Sequence, residues 1–252
     1  MTQVAVQAFI INLETAADRW AAIAQRFAAT RIPVVRVPAV NGNTLELPIP
    51  EFHEKYFRLR HGRATNPREI GCYLSHVAAL RAFLETGGAH GLICEDDIIP
   101  GPEFDDAIES ALLHARHWNV LRLTGLGTGK PLTVRALTGG FRLCISLGRV
   151  KGAGAYVVDR AAATAFVARL LPMWLPFDHA VDREWHFGLR AAYILPFPCS
   201  QTDAGFRSSI QTGKTGKKRS RRRWLTTYPY QAGNEMTRWV FRTASFLRAR
   251  LL

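Results

Sequence analysis

Gly91-Leu92-Ile93-Cys94-Glu95-Asp96-Asp97 is an apolar run that ends in three consecutive acids, and Ile98-Ile99-Pro100-Gly101 follows at once. A continuous apolar run bounded by turn residues reads as a buried strand. Such a strand delivers its carboxylates to an exposed tip. Adjacent carboxylates repel each other unless a cation lies between them or their pKa values move. Hard divalent ions such as magnesium and manganese take oxygen ligands, often one or two carboxylates together with phosphate oxygens. The triplet is therefore a candidate metal and diphosphate site. An acidic loop leading into the next segment would look the same, because Pro100 and Pro102 also signal a turn and a helix start.

Strands and helices alternate around this run. Val6 to Leu13 reads as a first strand, Ala16 to Thr30 as a helix and Pro33 to Val37 as a second strand. Glu51 to Gly62 is polar and aromatic, a helix or a loop. The helix before the acid-tipped strand has a clear start: Asn66 is placed to cap it, Pro67 suits its first position, and Glu69 completes a capping-box pattern. Ile70, Leu74, Val77 and Leu84 then recur at helical spacing. After the acids come a helix from Glu103 to His117, a strand from Val120 to Leu123, and a glycine- and threonine-rich loop from Gly125 to Gly140. Strands at Phe141 to Leu147, Gly154 to Val158 and Ala191 to Pro196 enclose a helix from Ala161 to Leu171. This alternation predicts an α/β fold, a single domain with a mostly parallel central sheet flanked by helices.

The chain has 252 residues and 48% are hydrophobic, which suffices for one large domain with a tail. Its formal net charge of +13 points to polyanionic partners: nucleic acid, anionic lipid or phosphorylated substrates. Cys72, Cys94, Cys144 and Cys199 lie far apart in apolar stretches with no CxxC pair. They read as buried free thiols in a reducing compartment rather than as zinc ligands or disulfides. The N-terminus lacks the basic residues of a signal peptide, so a cytoplasmic protein, soluble or peripheral, is expected.

The composition changes after about residue 211. Lys214, Lys217, Lys218, Arg219, Arg221, Arg222 and Arg223 form a basic run. Met236, Trp239, Val240, Leu247 and Leu251 then lie at helical spacing, interleaved with Arg238, Arg242, Arg248 and Arg250. Residues 212–252 thus read as a basic tail whose amphipathic helix lies on an anionic membrane surface, the inner face of the cytoplasmic membrane. A helix docked on the protein's own core, with its arginines turned to solvent, is the alternative.

Four separated segments carry a family likeness. They are Ile10-Ile11-Asn12-Leu13 with Asp18-Arg19; Glu69-Ile70-Gly71-Cys72-Tyr73-Leu74-Ser75-His76; Glu95-Asp96-Asp97; and Gly152-Ala153-Gly154-Ala155-Tyr156 with Arg160-Ala161-Ala162 and Pro176-Phe177-Asp178. In this order they resemble glycosyltransferase family 25, the bacterial lipooligosaccharide galactosyltransferase group that also includes the collagen galactosyltransferases. The resemblance covers nearly the whole chain up to about Gln201, and the domain it implies is residues 1–211. It implies a GT-A-like fold and transfer of a sugar, usually galactose from UDP-galactose, with inversion at the anomeric carbon. The acceptor it implies is a lipid-linked saccharide of lipooligosaccharide or lipopolysaccharide synthesis.

Roles follow from that chemistry. A departing diphosphate needs its charge neutralised, which a divalent ion does as a Lewis acid. Glu95-Asp96-Asp97 is a DxD-like pattern with glutamate in the first place. Asp97 is expected to ligate Mn2+ or Mg2+, with Glu95 or Asp96 supporting it or contacting the donor ribose. His179 and His186 are candidates to close the metal shell. An inverting transfer also needs a general base, for which Asp178 is the first candidate, at the family's Pro-x-Asp position; a helix N-cap is the alternative role. Asp182, one turn on, is a second candidate. Asn12 and Arg19 follow the first strand, where ligands bind open α/β sheets; they are candidates for the base or ribose and for phosphate, unless Arg19 pairs with Glu14 or Asp18. Ser75 and His76 are placed at the donor site, and Gly152 and Gly154 would let backbone approach the sugar.

Charge alone would also suit a nucleic-acid-binding protein. The basic residues concentrate in the tail and no nucleic-acid motif is recognisable, so nucleic acid is not an expected partner. A catalytically inactive family member acting as an assembly partner is a further alternative, against which the intact acidic triplet speaks.

Overall fold

The computed structural model describes residues 6–64, 66–201 and 221–251. The boundary expected at 211/212 and the basic run up to Ser220 lie outside the described residues.

Ten strands and seven α-helices follow one another along the described chain. Strand β1 (Val6–Asn12), helix α1 (Ala17–Ala28) and strand β2 (Val34–Pro38) open it, followed by α2 (Glu54–His61) and α3 (Pro67–Leu84). Strand β3 (His90–Glu95) leads through the acidic turn to β4 (Ile98–Pro100), α4 (Phe104–Leu112) and β5 (Val120–Arg122). Strands β6 (Pro131–Ala136), β7 (Arg142–Ser146) and β8 (Ala155–Asp159) precede α5 (Arg160–Arg169) and the short α6 (Phe177–Val181). Strands β9 (Ala191–Leu195) and β10 (Cys199–Gln201) and the long α7 (Thr227–Leu251) complete the order.

Eight strands form one sheet in the order β2-β1-β3-β8-β5-β9-β7-β6, and β4 pairs with β10 in a second, two-stranded sheet. The large sheet is mixed. Strands β8 and β7 run against their neighbours, and the other six share one direction. The sequence hides these reversals because β7 and β8 are buried along most of their length and read as apolar runs whatever their direction. Strand β6 lies inside the segment expected to be a loop; Thr133, Val134 and Arg135 extend there because β7 offers an antiparallel edge.

Alternation along the strands builds two cores. Val6, Ala8 and Ile10 of β1 face one side with Ile23, Phe27, Phe104 and Ile108 of α1 and α4. Phe9 and Ile11 face the other, with Tyr73, Val77 and Phe83 of α3 and Phe166 of α5. Each fully buried side chain of this size contributes about 1.5–3 kcal/mol relative to exposure. Helix α3 starts as read: Asn66 accepts the Arg68 N–H at 3.1 Å and Pro67 occupies the first turn.

Helix α7 departs from the alternative expectation of a docked helix with its arginines turned to solvent. It packs on α2, β6 and β7, with Ala249 buried beside Val134 and Ile145. Arg238 and Arg242 are each 1% exposed, whereas Met236 and Val240 are 72% and 73% exposed. The apolar stripe faces outward and the two central arginines face inward. The reason lies beneath the helix: Asp182 and Glu184 are buried there and need cations.

Register places the ends that matter at one edge. Asn12 of β1 lies opposite Pro38, Ile11 lies opposite Glu95, and Cys94 lies opposite Ala155. The carboxyl ends of β1, β2 and β3 and the amino end of β8 therefore meet there, where ligands bind open α/β sheets.

Candidate active site at the sheet edge

The three acids divide by direction. Asp96 turns back into the fold, 8% exposed, accepting from Asn12 Nδ2 at 2.6 Å and pairing with Arg19 Nη1 at 3.1 Å. Asn12 Oδ1 in turn accepts from Arg36 Nη2 at 2.6 Å. Burial raises the Asp96 pKa, with Asn12 and Arg19 working against it. Asn12 and Arg19, expected at a ligand, are thus engaged in fixing the acidic turn. Arg19 pairs with Asp96 rather than with Glu14 or Asp18.

Glu95 and Asp97 face the other way and converge. Gln201 Nε2 lies 3.3 Å from Glu95 Oε2 and 3.3 Å from Asp97 Oδ1. Burial, and next the Glu95 charge, push Asp97 up to about 6. An amide NH2 between two carboxylates marks a place where positive charge is favourable. Turning that amide over would bring its carbonyl oxygen to the same place, so two carboxylates and an amide suit a hard divalent ion. Gly154 makes room for this arrangement, since a Cβ there would collide with the Gln201 side chain. Its carbonyl accepts the Glu95 N–H at 2.8 Å.

Helix α3 brings two further donors to Glu95. His76 Nε2 lies 3.4 Å from Glu95 Oε1, while its Nδ1 is 3.2 Å from the Tyr156 hydroxyl. The imidazole stacks on Phe177 with centroids 4.0 Å apart. Cys72, one turn earlier, places Sγ 4.0 Å from Glu95 Oε1. Cys72 is half-buried, so the expectation of four buried thiols holds only for Cys94, Cys144 and Cys199. Burial, then the charges of Glu95 and Asp178, push the Cys72 thiol up.

Ser75 is turned away from the cleft. Its hydroxyl donates to Gly71 O at 2.7 Å and accepts from Val40 N at 2.8 Å, tying α3 to the segment after β2.

Asp178 lies in α6, whose N-cap is Pro176, close enough to Cys72 and Glu69 for its charge to act on both. Its Oδ2 accepts from Gly152 N at 3.1 Å and its Oδ1 from His179 N at 2.9 Å. Gly152 has φ +87, a left-handed conformation that glycine adopts without strain. Arg122, buried at the end of β5, donates to Gly152 O at 2.7 Å, Val150 O at 3.1 Å and Asp178 O at 3.4 Å. It thereby clamps the Gly152 turn to α6.

Asp182 does not join Asp178 on an open face. It is 1% exposed, 2.9 Å from Arg242 Nη2 and 3.0 Å from Arg238 Nη2. Burial alone would raise its pKa, but Arg242, Arg122 and Arg238 outweigh it and hold it low. A base must reach an acceptor hydroxyl, and Asp182 is enclosed by cations, so the geometry gives it an architectural place. His179 faces the His61 ring, with centroids 5.3 Å apart, and the donors gathered around Glu95 are Cys72 and His76. His186 lies against Trp174 and Phe187. Burial lowers the pKa of His179, and burial takes His61 down to about 3, so both rings are neutral near pH 7.

Glu69 completes the cleft. Burial, and next the Asp178 charge, push it up to about 7. Arg63 bears on Glu69 and His61, Arg223 on His61, and Arg149 and Lys151 on His179, giving this side a basic rim. Sequence reading passed over Gln201, Cys72, Arg122 and this rim. The one local signal was Cys72-x-x-x-His76, which puts both side chains on one helix face. Gln201 lies 106 residues from Glu95 and carries no local mark.

The family model for glycosyltransferase family 25, described as an LPS biosynthesis protein family, matches residues 5–130, half of the chain. No curated protein matches the sequence. The matched half holds the acid-tipped strand, α3 and the Asn12–Arg19–Asp96 lock. The acidic edge and this match lead to one conclusion: the chain belongs to glycosyltransferase family 25, the LPS biosynthesis glycosyltransferases.

Proposed function

We propose that this glycosyltransferase moves galactose from UDP-galactose to a lipid-linked saccharide with inversion, and that its donor site holds a manganese or magnesium ion. The observation that carries the reading is the convergence of Glu95 and Asp97 on one point, each 3.3 Å from Gln201 Nε2. Glu95 and Asp97 would hold the ion, with Gln201 beside them. Bound there, it would supply Lewis-acid neutralisation of the diphosphate.

The chain's own residues account for the rest. Arg63 and Lys151 would meet the phosphates, since a basic side favours a bound anion; Arg149 beside them is paired with Glu235 at 2.9 Å. Asp178 would accept the proton of the attacking hydroxyl. Its carboxylate is already oriented by two backbone N–H groups, which leaves lone pairs free for a third partner. Arg122 would keep Asp178 and the Gly152 turn in step. Asp182 is left out of the chemistry.

Membrane attachment belongs to the same reading. Trp224, Leu225, Met236, Trp239, Val240, Leu247 and Leu251 are all exposed on or just before α7. With exposed Arg248 and Arg250 and the neighbouring basic run, they suit an anionic inner leaflet. No helix among the described residues is long and apolar enough to cross a membrane.

The test is donor hydrolysis and transfer by chelator-treated protein, with and without added manganese. Restoration by manganese in the wild type and its absence in Asp97→Ala are expected. Full activity of Asp97→Ala after chelation would sink the cation assignment.

A further inference from the structure

We propose that Cys72, His76 and Glu95 form a second cation site, one that takes a thiophilic first-row transition ion of the zinc class and competes with Asp97 for Glu95. The site itself stands on geometry alone; only the competition rests on the functional reading above.

The donor atoms are a thiol, an imidazole nitrogen and a carboxylate oxygen, all within 4.8 Å of one another. Tetrahedral zinc bonds of about 2.0–2.3 Å put neighbouring donors roughly 3.3–3.8 Å apart. The 3.4 Å from His76 Nε2 to Glu95 Oε1 and the 4.0 Å from Cys72 Sγ to that oxygen are close to this spacing. Cys72 and His76 are one helical turn apart, so their side chains leave α3 in the same direction.

The surroundings also suit a metal. Tyr156 engages His76 Nδ1 at 3.2 Å, which leaves Nε2 as the ligand, and Phe177 holds the ring plane by stacking. A thiolate discriminates strongly. Manganese and magnesium prefer oxygen, whereas zinc and cobalt accept sulfur with nitrogen. Three protein ligands leave a fourth position open, as in sites that bind an exchangeable group rather than in closed structural ones.

Loading would displace the Cys72 proton to solvent as the thiolate–metal bond forms. It would also engage Glu95, one of the two carboxylates that converge on Gln201. A zinc-class ion is therefore expected to inhibit manganese-supported transfer.

The test titrates cobalt(II) into the reduced, metal-free full-length protein. One equivalent should bind with a near-ultraviolet thiolate-to-cobalt charge-transfer band and visible bands of tetrahedral intensity, and zinc should abolish both. Cys72→Ser, a near-isosteric change, should remove the charge-transfer band. Tyr156→Phe should weaken cobalt binding about 10–100-fold through the His76 ring. Asp97→Asn should keep the band, which separates this site from the donor cation: the band can survive even if transfer proves independent of manganese. Absence of the band in the wild type, or its persistence in Cys72→Ser, would overturn the proposal.

Discussion

Arg242 on α7 donates a 2.9 Å hydrogen bond to Asp182, 60 residues earlier in the chain, and both side chains are 1% exposed. Arg242 also donates to Ser146 O at 2.9 Å and pairs with the buried Glu184. Such a cluster persists in the interior only because each charge meets several partners. Removing one partner strands the others. Arg242→Ala is therefore expected to destabilise the protein by about 3–5 kcal/mol. Urea unfolding measures this, and a loss in the range of exposed ion pairs, below about 1 kcal/mol, would mean that α7 is not seated on Asp182.

Gly154 and Gln201 give a second test. A methyl group at position 154 would occupy the space of the Gln201 amide. Gly154→Ala should displace that amide and weaken manganese binding about 10–100-fold, the usual cost of disturbing a supporting group. In the wild type, manganese at a hundredfold excess over its Kd should add about 2.7 kcal/mol of stability. A thermal shift that is equal in Gly154→Ala and wild type would remove Gln201 from the site.

Titration supplies a third. Glu69 is pushed up to about 7 by burial and the Asp178 charge, from an ordinary 4.5. Between these values the folded state binds more protons than the unfolded one, so the Glu69 contribution to stability falls as pH rises from about 4.5 to 7. His61 acts oppositely: burial takes it to about 3, so its contribution falls as pH drops below the ordinary imidazole range. The two are separated by comparison. Metal-free Glu69→Gln should gain stability over the wild type at pH 7.5 and lose that advantage by pH 5. A difference that does not change with pH would contradict the buried position of the Glu69 carboxyl.

Asp178 is tested by a split between kinetics and binding. As the proton acceptor in transfer, its loss in Asp178→Asn should lower turnover by about 10²–10⁴. Donor affinity, read by thermal shift with UDP-galactose and manganese, should stay within a few-fold of wild type. Parallel loss of both would make the residue a donor contact or a strut for the Gly152 turn.

Where local chemistry decided the structure, the sequence was readable. Asn66 and Pro67 announced the start of α3, and the apolar run before Glu95 announced β3. Direction was not readable, because β7 and β8 are apolar runs whether they run with or against their neighbours. Partners distant in the chain were equally hidden. Asp96 carries no sign that it would turn back to Asn12, nor Glu95 and Asp97 that they would meet at Gln201. Helix α7 was readable only in part, for a physical reason. Its apolar stripe was legible, but which face turns inward was decided by the buried acids Asp182 and Glu184, 60 and 58 residues away from Arg242.

Burial of the two arginines leaves the apolar face of α7 outward, and this can be put to the test. At about 100° per residue, Met236, Trp239, Val240, Leu247 and Leu251 share one side, opposite the buried Arg238, Arg242 and Ala249. Trp239 is 43% exposed and Leu247 56% exposed, so neither supports the core strongly. Trp239→Glu with Leu247→Glu should change folding stability only slightly, since surface substitutions usually fall within about 0.5 kcal/mol each. The pair should nevertheless abolish co-sedimentation with vesicles rich in anionic lipid. Neutralising Arg248 and Arg250 should weaken it by about 1 kcal/mol each and make the remainder less salt-sensitive. If the double glutamate variant still sediments with vesicles, the outward face of α7 is not the membrane contact, and attachment must run through the basic segment that precedes it.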